Sequence, residues 1–195
     1  MRKIPTVLRR DPDNMRHVLP EVTPGCEWVL AGEGVPTRKY DGTCVMLDDR
    51  FDWWARREVK PGKSAPAGFV AVETDEVTGK TVGWEPIEQS AFFRWWEEAL
   101  NVLADQKDPA VIGTHELCGP KVNGNPERYD QHVLIPHSAA EVVDTTEDGD
   151  PPWTLAEIEH MAKWAGERGW EGIVWHHPDG RMAKLKVRDF PKASS

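Results

Sequence analysis

Two periodicities of apolar residues run along the chain. Between residues 88 and 106, Ala91, Phe92, Trp95, Trp96, Ala99, Leu100 and Leu103 recur at helical spacing, so EQSAFFRWWEEALNVLADQ is predicted to be a helix with these side chains on its core face. A second helix is predicted over TLAEIEHMAKWAGERG, where Thr154 stands three residues before Glu157 in a capping-box pattern and Gly169 offers a stop. Most of the remaining pattern is extended. EWVLAGEGVPTRKYDGTCVMLDD predicts two extended stretches with a Gly/Pro break, FDWWARREVK another strand, and GFVAVETDEVTGKTVGWEPI a hairpin turning at Thr78-Gly79. AVIGTHELCG is a short apolar run leading to Glu116 and predicts a buried strand; HVLIPH predicts a short one. EGIVWHHPDGRMAKLKV predicts a β-hairpin with Asp179-Gly180 as a two-residue turn. PGKSAPAG, PKVNGNPERYDQ and the acidic DTTEDGDPP are loops, and residues 1–25 an irregular or short-stranded lead-in. Strands interrupted by two helices predict one α+β domain with largely antiparallel sheets.

Composition narrows the function classes. The chain has 195 residues and a net charge of −9, which argues against a general nucleic-acid coating protein but allows local basic surface. Lys and Arg cluster at Arg2–Arg10, Arg56–Lys63 and Lys184–Lys192. No run approaches the length of apolar sequence that a membrane-spanning helix needs, and MRKIPTVLRR lacks the apolar segment of a secretory signal. Cys26, Cys44 and Cys118 form no CxxC pair, as expected of reduced thiols in a cytoplasmic protein. The 10 tryptophans, including the pairs Trp53-Trp54 and Trp95-Trp96, are expected mainly in packing.

The last hairpin concentrates charge. With a two-residue turn at Asp179-Gly180, Trp175 pairs with Lys184, Ile173 with Lys186 and Glu171 with Arg188, so Glu171, Lys184 and Lys186 share one sheet face. Taken alone, this is also the pattern of cross-strand charge pairing on a solvated face. Two further features shift the balance. Glu116 ends an apolar run, where a carboxylate is an unusual structural choice, and Lys39 and Asp41 stand two residues apart on one strand face. His176-His177 with Asp179 is expected to be an exposed hairpin end rather than a metal site, and the acidic loop lacks the ligand series of a calcium loop.

In order, Lys39-x-Asp41-Gly42, Arg56, Glu116, Glu171-Gly-Ile and Lys184-x-Lys186 resemble the motif series of the covalent nucleotidyltransferases, the ATP-dependent DNA and RNA ligases and mRNA capping enzymes. A lone KxDG arises by chance in roughly one chain of this length in twenty to thirty; five ordered elements are a much stronger signal. KYDGTC, WARREVKPG, THELCGPKVNGNPE and HVLIPH are together similar to the small family that includes the vertebrate 5′-to-3′ RNA ligase. The resemblance spans about residues 28–188.

It implies a single adenylyltransferase domain over residues 1–195, ATP-grasp-like, with two largely antiparallel sheets flanked by helices and no OB-fold domain, since the ends are too short to hold one. It implies ATP, Mg²⁺ or Mn²⁺ and RNA ends carrying a 5′-phosphate and a 3′-hydroxyl, with no membrane partner and a monomeric protein. Lys39 would be the nucleophile that forms lysyl-AMP, with Asp41, Lys184 and Lys186 catalytic beside it. Arg38, Arg56, Glu116 and Ile173 would join Lys39, Lys184 and Lys186 in holding the nucleotide, Glu116 at the ribose. Glu171, with Asp41, would approach the metal, directly or through water. The wall against the base is left among His132, Leu134 and Ile173. Arg56, Lys60 and Lys63, with Arg2–Arg16, are the expected RNA contacts. The competing readings are a minimal DNA nick ligase and a nucleotide- or RNA-binding module without catalysis.

Overall fold

A computed structural model describes residues 2–107, 109–145 and 149–190. In chain order its elements are β1 (Leu8–Arg10), β2 (Val18–Val22), α1 (Glu27–Leu30), β3 (Val35–Lys39), β4 (Thr43–Leu47), β5 (Trp53–Val59), β6 (Val70–Thr74), β7 (Thr81–Pro86), α2 (Phe93–Gln106), β8 (Gly113–Cys118), β9 (Val133–Pro136), α3 (Leu155–Glu167), β10 (Gly172–His176) and β11 (Met182–Lys186). Part of the acidic loop, Thr146–Asp148, and the basic Lys192 lie outside the described residues. The residues group into two compact units. One comprises Asp41–Ala139 with the first three residues; the other comprises Ile4–Tyr40 and the chain from Ala140 onward.

The Asp41–Ala139 unit is a six-stranded antiparallel sheet in the order β6-β7-β5-β4-β8-β9. Val45, Ala55, Leu117 and Leu134 project from one face onto Trp96 and Ala99 of α2. Because neighbouring strand residues point to opposite faces, Cys44, Met46, Trp54, Arg56, Glu116 and Ile135 occupy the other. The predicted helix is present but begins only at Phe93, leaving Ala91 before it and exposed; the Thr78-Gly79 turn and the strands ending near Glu116 and in HVLIPH are present.

The second unit holds the three-stranded sheet β11-β10-β3 and the pair β1-β2. Three sheets therefore occur among the described residues where two were expected. Strand pairing is antiparallel, apart from an isolated parallel bridge between Thr6 and Lys184. Ile173, Trp175, Ala183 and Leu185 pack on Ile158, Met161 and Ala165 of α3, and on Trp28 and Val29. The capping box of α3 forms as predicted, with Thr154 Oγ1 accepting from the Glu157 N–H.

Three expectations from pattern are corrected. Lys39 and Asp41 were expected on one strand face, but β3 ends at Lys39 and Asp41 lies in the connection to β4. Residues 27–30 were expected to be extended but form the single helical turn α1. Gly25 takes φ +86, and its N–H donates to the Glu27 carboxylate at 2.8 Å. Consecutive Trp28 and Val29 are both buried, which a turn allows and an alternating strand does not. The final hairpin is also shifted by one residue: Lys184 pairs with Val174 and Lys186 with Gly172. Its connection is a three-residue loop, Pro178 to Gly180, closed by the His177 N–H donating to the Arg181 carbonyl at 2.9 Å. Gly180 supplies the positive φ of +91 that such a loop needs. Asp179 stabilises it by accepting from the Arg181 N–H and Nε, at 2.9 and 2.8 Å.

Removing the α3 capping side chain with Thr154→Ala should lower stability by about 1 kcal/mol; urea denaturation should show a lower midpoint at unchanged slope.

Candidate active site

The shifted hairpin register decides which residues gather. Gly172, at the start of β10, has Lys39 of β3 directly opposite on one side and Lys186 of β11 on the other. All three belong to one face of the sheet, with Thr37, Val174 and Lys184 in the next row. Lys39 and Lys186 stem from backbones two strand spacings, roughly 10 Å, apart. The MAKLK sequence of β11 achieves this by alternation: Ala183 and Leu185 go to the core, while the two lysines go to the opposite face.

Glu171 lies immediately before β10, and its carboxylate closes the gap. Its Oε2 lies 2.6 Å from Lys39 Nζ, and its Oε1 accepts from Lys186 Nζ. Arg188 Nη2 is 3.7 Å from the same oxygen, and Lys39 Nζ also donates to the Tyr40 carbonyl at 3.2 Å. The carboxylate is only 7 % exposed. Burial alone would raise its pKa, but the Lys39 and Lys186 ammoniums outweigh burial and hold it below the ordinary value of 4.5. Glycine is required beside it, since a Cβ at 172 would lie 2.0 Å from the Leu185 carbonyl oxygen. Glu171 thus meets Lys186, though not by the face-sharing that a two-residue turn would have produced, while Lys184 stands one row further along, opposite Val174.

A second polar cluster stands in the other unit, around the chain segment that follows Lys39 and Tyr40. Glu116 is buried, and its two oxygens have separate partners. Oε1 accepts from the Gly42 N–H at 3.1 Å; Oε2 is 3.0 Å from His137 Nε2. His137 Nδ1 lies 2.9 Å from Thr114 Oγ1. The Asp41 N–H donates to Glu127 Oε1 at 2.8 Å. Asn123 Nδ2 donates to the Gly42 carbonyl at 2.7 Å and to Asp41 Oδ1 at 3.2 Å. Gly42 tolerates no side chain: its Cβ would sit 2.3 Å from the Leu117 carbonyl. Arg56 belongs to the same sheet face as Glu116, whereas Arg57 points the other way, to Glu85 at 3.8 Å.

Several expected contacts fall elsewhere. Ile173 is 0 % exposed and faces the α3 core, on the opposite sheet face from Lys39. Leu134 packs in the α2 core. His132 stacks on Trp95 at 4.9 Å, with Nδ1 2.7 Å from Glu98 Oε2 and Nε2 accepting from the Lys121 N–H. All three candidates for the wall against a base are therefore occupied in packing; the apolar neighbour of Glu116 on its own face is Ile135, its directly paired residue. Arg38 shares the Ile173 side of β3, stacks on Trp170 and Tyr40, and pairs with Glu141; its N–H donates to the Glu141 carbonyl. Lys60 and Lys63 are exposed in the turn after β5. Within Arg2–Arg16, Arg9 pairs with Glu21 and Arg10 with Asp189, both at 2.8 Å, so part of that basic cluster is internally neutralised. His177 is held by Glu33 and Asp179 at the hairpin end.

Asn123, Glu127 and His137 were not assigned roles from sequence. They sit in THELCGPKVNGNPE and HVLIPH, but only contacts across the fold single them out from other loop polar residues. Among the described residues, no three His, Cys, Asp or Glu side chains gather as a metal-binding group.

Because the folded-state pKa of Glu171 lies below its unfolded value, its ion pairs contribute stability above the ordinary carboxylate range. That contribution is lost as pH falls through the depressed value. Glu171→Gln should flatten the acid limb of the stability profile while lowering stability at neutral pH; urea midpoints between pH 7 and pH 3 check this.

No family model matches the chain. Curated relatives do. It is 28% identical over 172 residues to RNA ligase 1 of Rattus norvegicus, covering 69% of this chain and 50% of that protein. RNA ligase 1 of Pongo abelii is 26% identical over 175 residues, with the same coverage. RNA ligase 1 of Danio rerio is 35% identical over 97 residues, 46% of this chain and 27% of that protein. The chain spans about half the length of the first two relatives, and it resembles the vertebrate RNA ligase 1 proteins.

Proposed function

We propose that this chain is an ATP-dependent RNA ligase that works through a covalent lysyl-AMP on Lys39. The observation that carries the reading is the buried Glu171 carboxylate between Lys39 and Lys186. A lysine beside a glycine-bearing turn, ion-paired in a nearly dry setting with a second lysine adjacent, is an arrangement suited to phosphoryl chemistry. The relatives named RNA ligase 1 support the same substrate class.

In the first step, Lys39 is oriented by the Glu171 carboxylate 2.6 Å away and loses its proton to solvent. An amine with an ordinary pKa near 10.4 needs cationic neighbours to do so at neutral pH, and Lys184 and Lys186 are the proposed ones. The neutral amine attacks the α-phosphorus of ATP, the bond to the bridging oxygen breaks, and pyrophosphate leaves. Lys186 and Lys184, on the same sheet face, neutralise phosphate oxygens as charge develops. Glu171 and Asp41 are the carboxylates that would approach a divalent ion, which when bound supplies further positive charge to the phosphates. Glu116 uses one interaction at each oxygen, and a carboxylate offers about four acceptor sites, so it retains capacity for ribose hydroxyls. Ile135, on the same face, is the apolar contact for the base.

The AMP then passes to an RNA 5′-phosphate, forming a pyrophosphate-linked adenylylated end and regenerating the Lys39 amine. A 3′-hydroxyl attacks that 5′-phosphorus and AMP leaves. Arg56, Lys60 and Lys63 are the proposed contacts for the RNA backbone; Arg's planar fork suits the 5′-phosphate. Such contacts give binding that weakens as salt rises.

With ATP radiolabelled at the α-phosphate and Mg²⁺ or Mn²⁺, the wild-type chain should retain label after denaturation and Lys39→Ala should retain none. Matched RNA and DNA ends then test the second half, with joining expected on RNA. Absence of label on folded, nucleotide-free wild type would overturn the reading, and equal joining of DNA would redirect it to a nick ligase.

A further inference from the structure

The chain leaves β3 at Lys39 and enters β4 through Tyr40, Asp41 and Gly42. Two successive backbone N–H groups in this passage are each directed at a carboxylate: Asp41 at Glu127, 2.8 Å away, and Gly42 at Glu116, 3.1 Å away. The Asn123 amide spans the same two residues, donating to the Gly42 carbonyl at 2.7 Å and to Asp41 Oδ1 at 3.2 Å. Two of these three side chains, Asn123 and Glu127, come from the loop between β8 and β9.

That loop is built to hold a shape. Val122 is anchored in the core. Asn125 donates from its side chain to the Tyr129 carbonyl at 2.9 Å and accepts from the Tyr129 N–H at 3.0 Å. Asn123, Asn125 and Arg128 take positive φ values of 48, 58 and 57 without being glycine. Sparsely populated backbone conformations persist only where the surroundings over-determine them, and they cluster at functional sites. A connection between adjacent antiparallel strands needs none of this. Nor is negative charge from Glu127 an electrostatic aid beside a segment that must receive a triphosphate. What the loop supplies is a fixed course for the backbone on the C-terminal side of Lys39.

We propose that Asn123 and Glu127 are positioning residues for adenylation, clamping the Asp41-Gly42 backbone so that the preceding lysine is presented for in-line attack. This inference rests on the ligase reading given above. Neither residue touches the reacting atoms; both act through the main chain of the nucleophile's motif. A misplacement of the order of 1 Å can cost about a hundredfold in rate, so loosening this clamp should slow the chemical step rather than weaken ATP binding.

The test is single-turnover labelling of the 195-residue chain by ATP radiolabelled at the α-phosphate, over a range of ATP concentrations. Asn123→Gly removes the amide but keeps a residue at ease with positive φ. Glu127→Ala removes the acceptor, and Glu127→Gln retains a carbonyl acceptor without the charge. Asn123→Gly and Glu127→Ala should lower the maximal labelling rate by roughly tenfold or more, with half-saturating ATP and melting temperature unchanged. Glu127→Gln should regain most of the rate. Wild-type rates in Asn123→Gly and Glu127→Ala overturn the proposal while leaving the ligase reading in place. So does a rate loss that tracks a fall in melting temperature, a change in half-saturating ATP alone, or a Glu127→Gln variant as slow as Glu127→Ala. A wild-type chain that takes no label overturns the ligase reading, and this inference with it.

Discussion

A carboxylate removed from water between two ammonium groups is the constraint that organises the lysine-bearing face. Burying Glu171 unpaired would carry a cost of several kcal/mol, and the convergence of Lys39 and Lys186, with Arg188 at the edge, offsets it. The convergence in turn requires Gly172 between them, where the close approach of the Leu185 carbonyl admits no side chain. The final hairpin and β3, far apart in sequence, must therefore pair in one register. The pairing that exposes the lysines is also the one that buries Ile173, Trp175 and Leu185. Core packing and site geometry are two faces of the same alternation, so a one-residue slip would cost both.

The other polar cluster follows a different logic. Glu116 occupies a position in a strand whose flanking residues, His115 and Leu117, are buried against α2 and its neighbours. Its carboxylate is accommodated because a backbone N–H and an imidazole are aimed at it, as a buried acceptor demands. His115, on the core face, is neutral in character: burial lowers its pKa, partly countered by the Gly113 carbonyl and reinforced by His137. One strand thus carries a buried histidine and a buried carboxylate side by side, on opposite faces. Neither unit depends on net charge for its chemistry. An acidic chain can present cations locally because net charge is a sum over the whole chain and does not fix the charge of any one face.

Element identity was largely legible in sequence. The helical spacing from Phe92 to Leu103, the Thr154–Glu157 capping box and the strand alternation in MAKLK each encode local structure through side-chain period alone, and each appears in the fold. The failures also have local causes. Trp28-Val29 looked extended because apolar residues in a short run do not distinguish a turn from a strand. The final hairpin slipped by one because Asp179-Gly180 suits both a two-residue turn and the last positions of a three-residue loop. The closure that chooses between them depends on His177 and Arg181.

The sequence by itself singled out the candidate residues: Lys39, Asp41, Glu116, Glu171, Lys184 and Lys186 are charged groups set at the ends of apolar runs or alternating with them. Their types and order needed no coordinates. Tertiary structure decided how they meet. Glu171 bridges Lys39 and Lys186 because β10 lies between β3 and β11, an order no spacing reveals. Ile173 and Leu134 pack in the cores because the face on which a strand residue lies depends on which side the core helix packs, and His132 stacks on Trp95. Asn123 and Glu127 meet Asp41 through hydrogen bonds across roughly eighty residues, which leave no periodic trace in the chain. Period is a property of neighbours along the backbone, and contact is a property of register and packing.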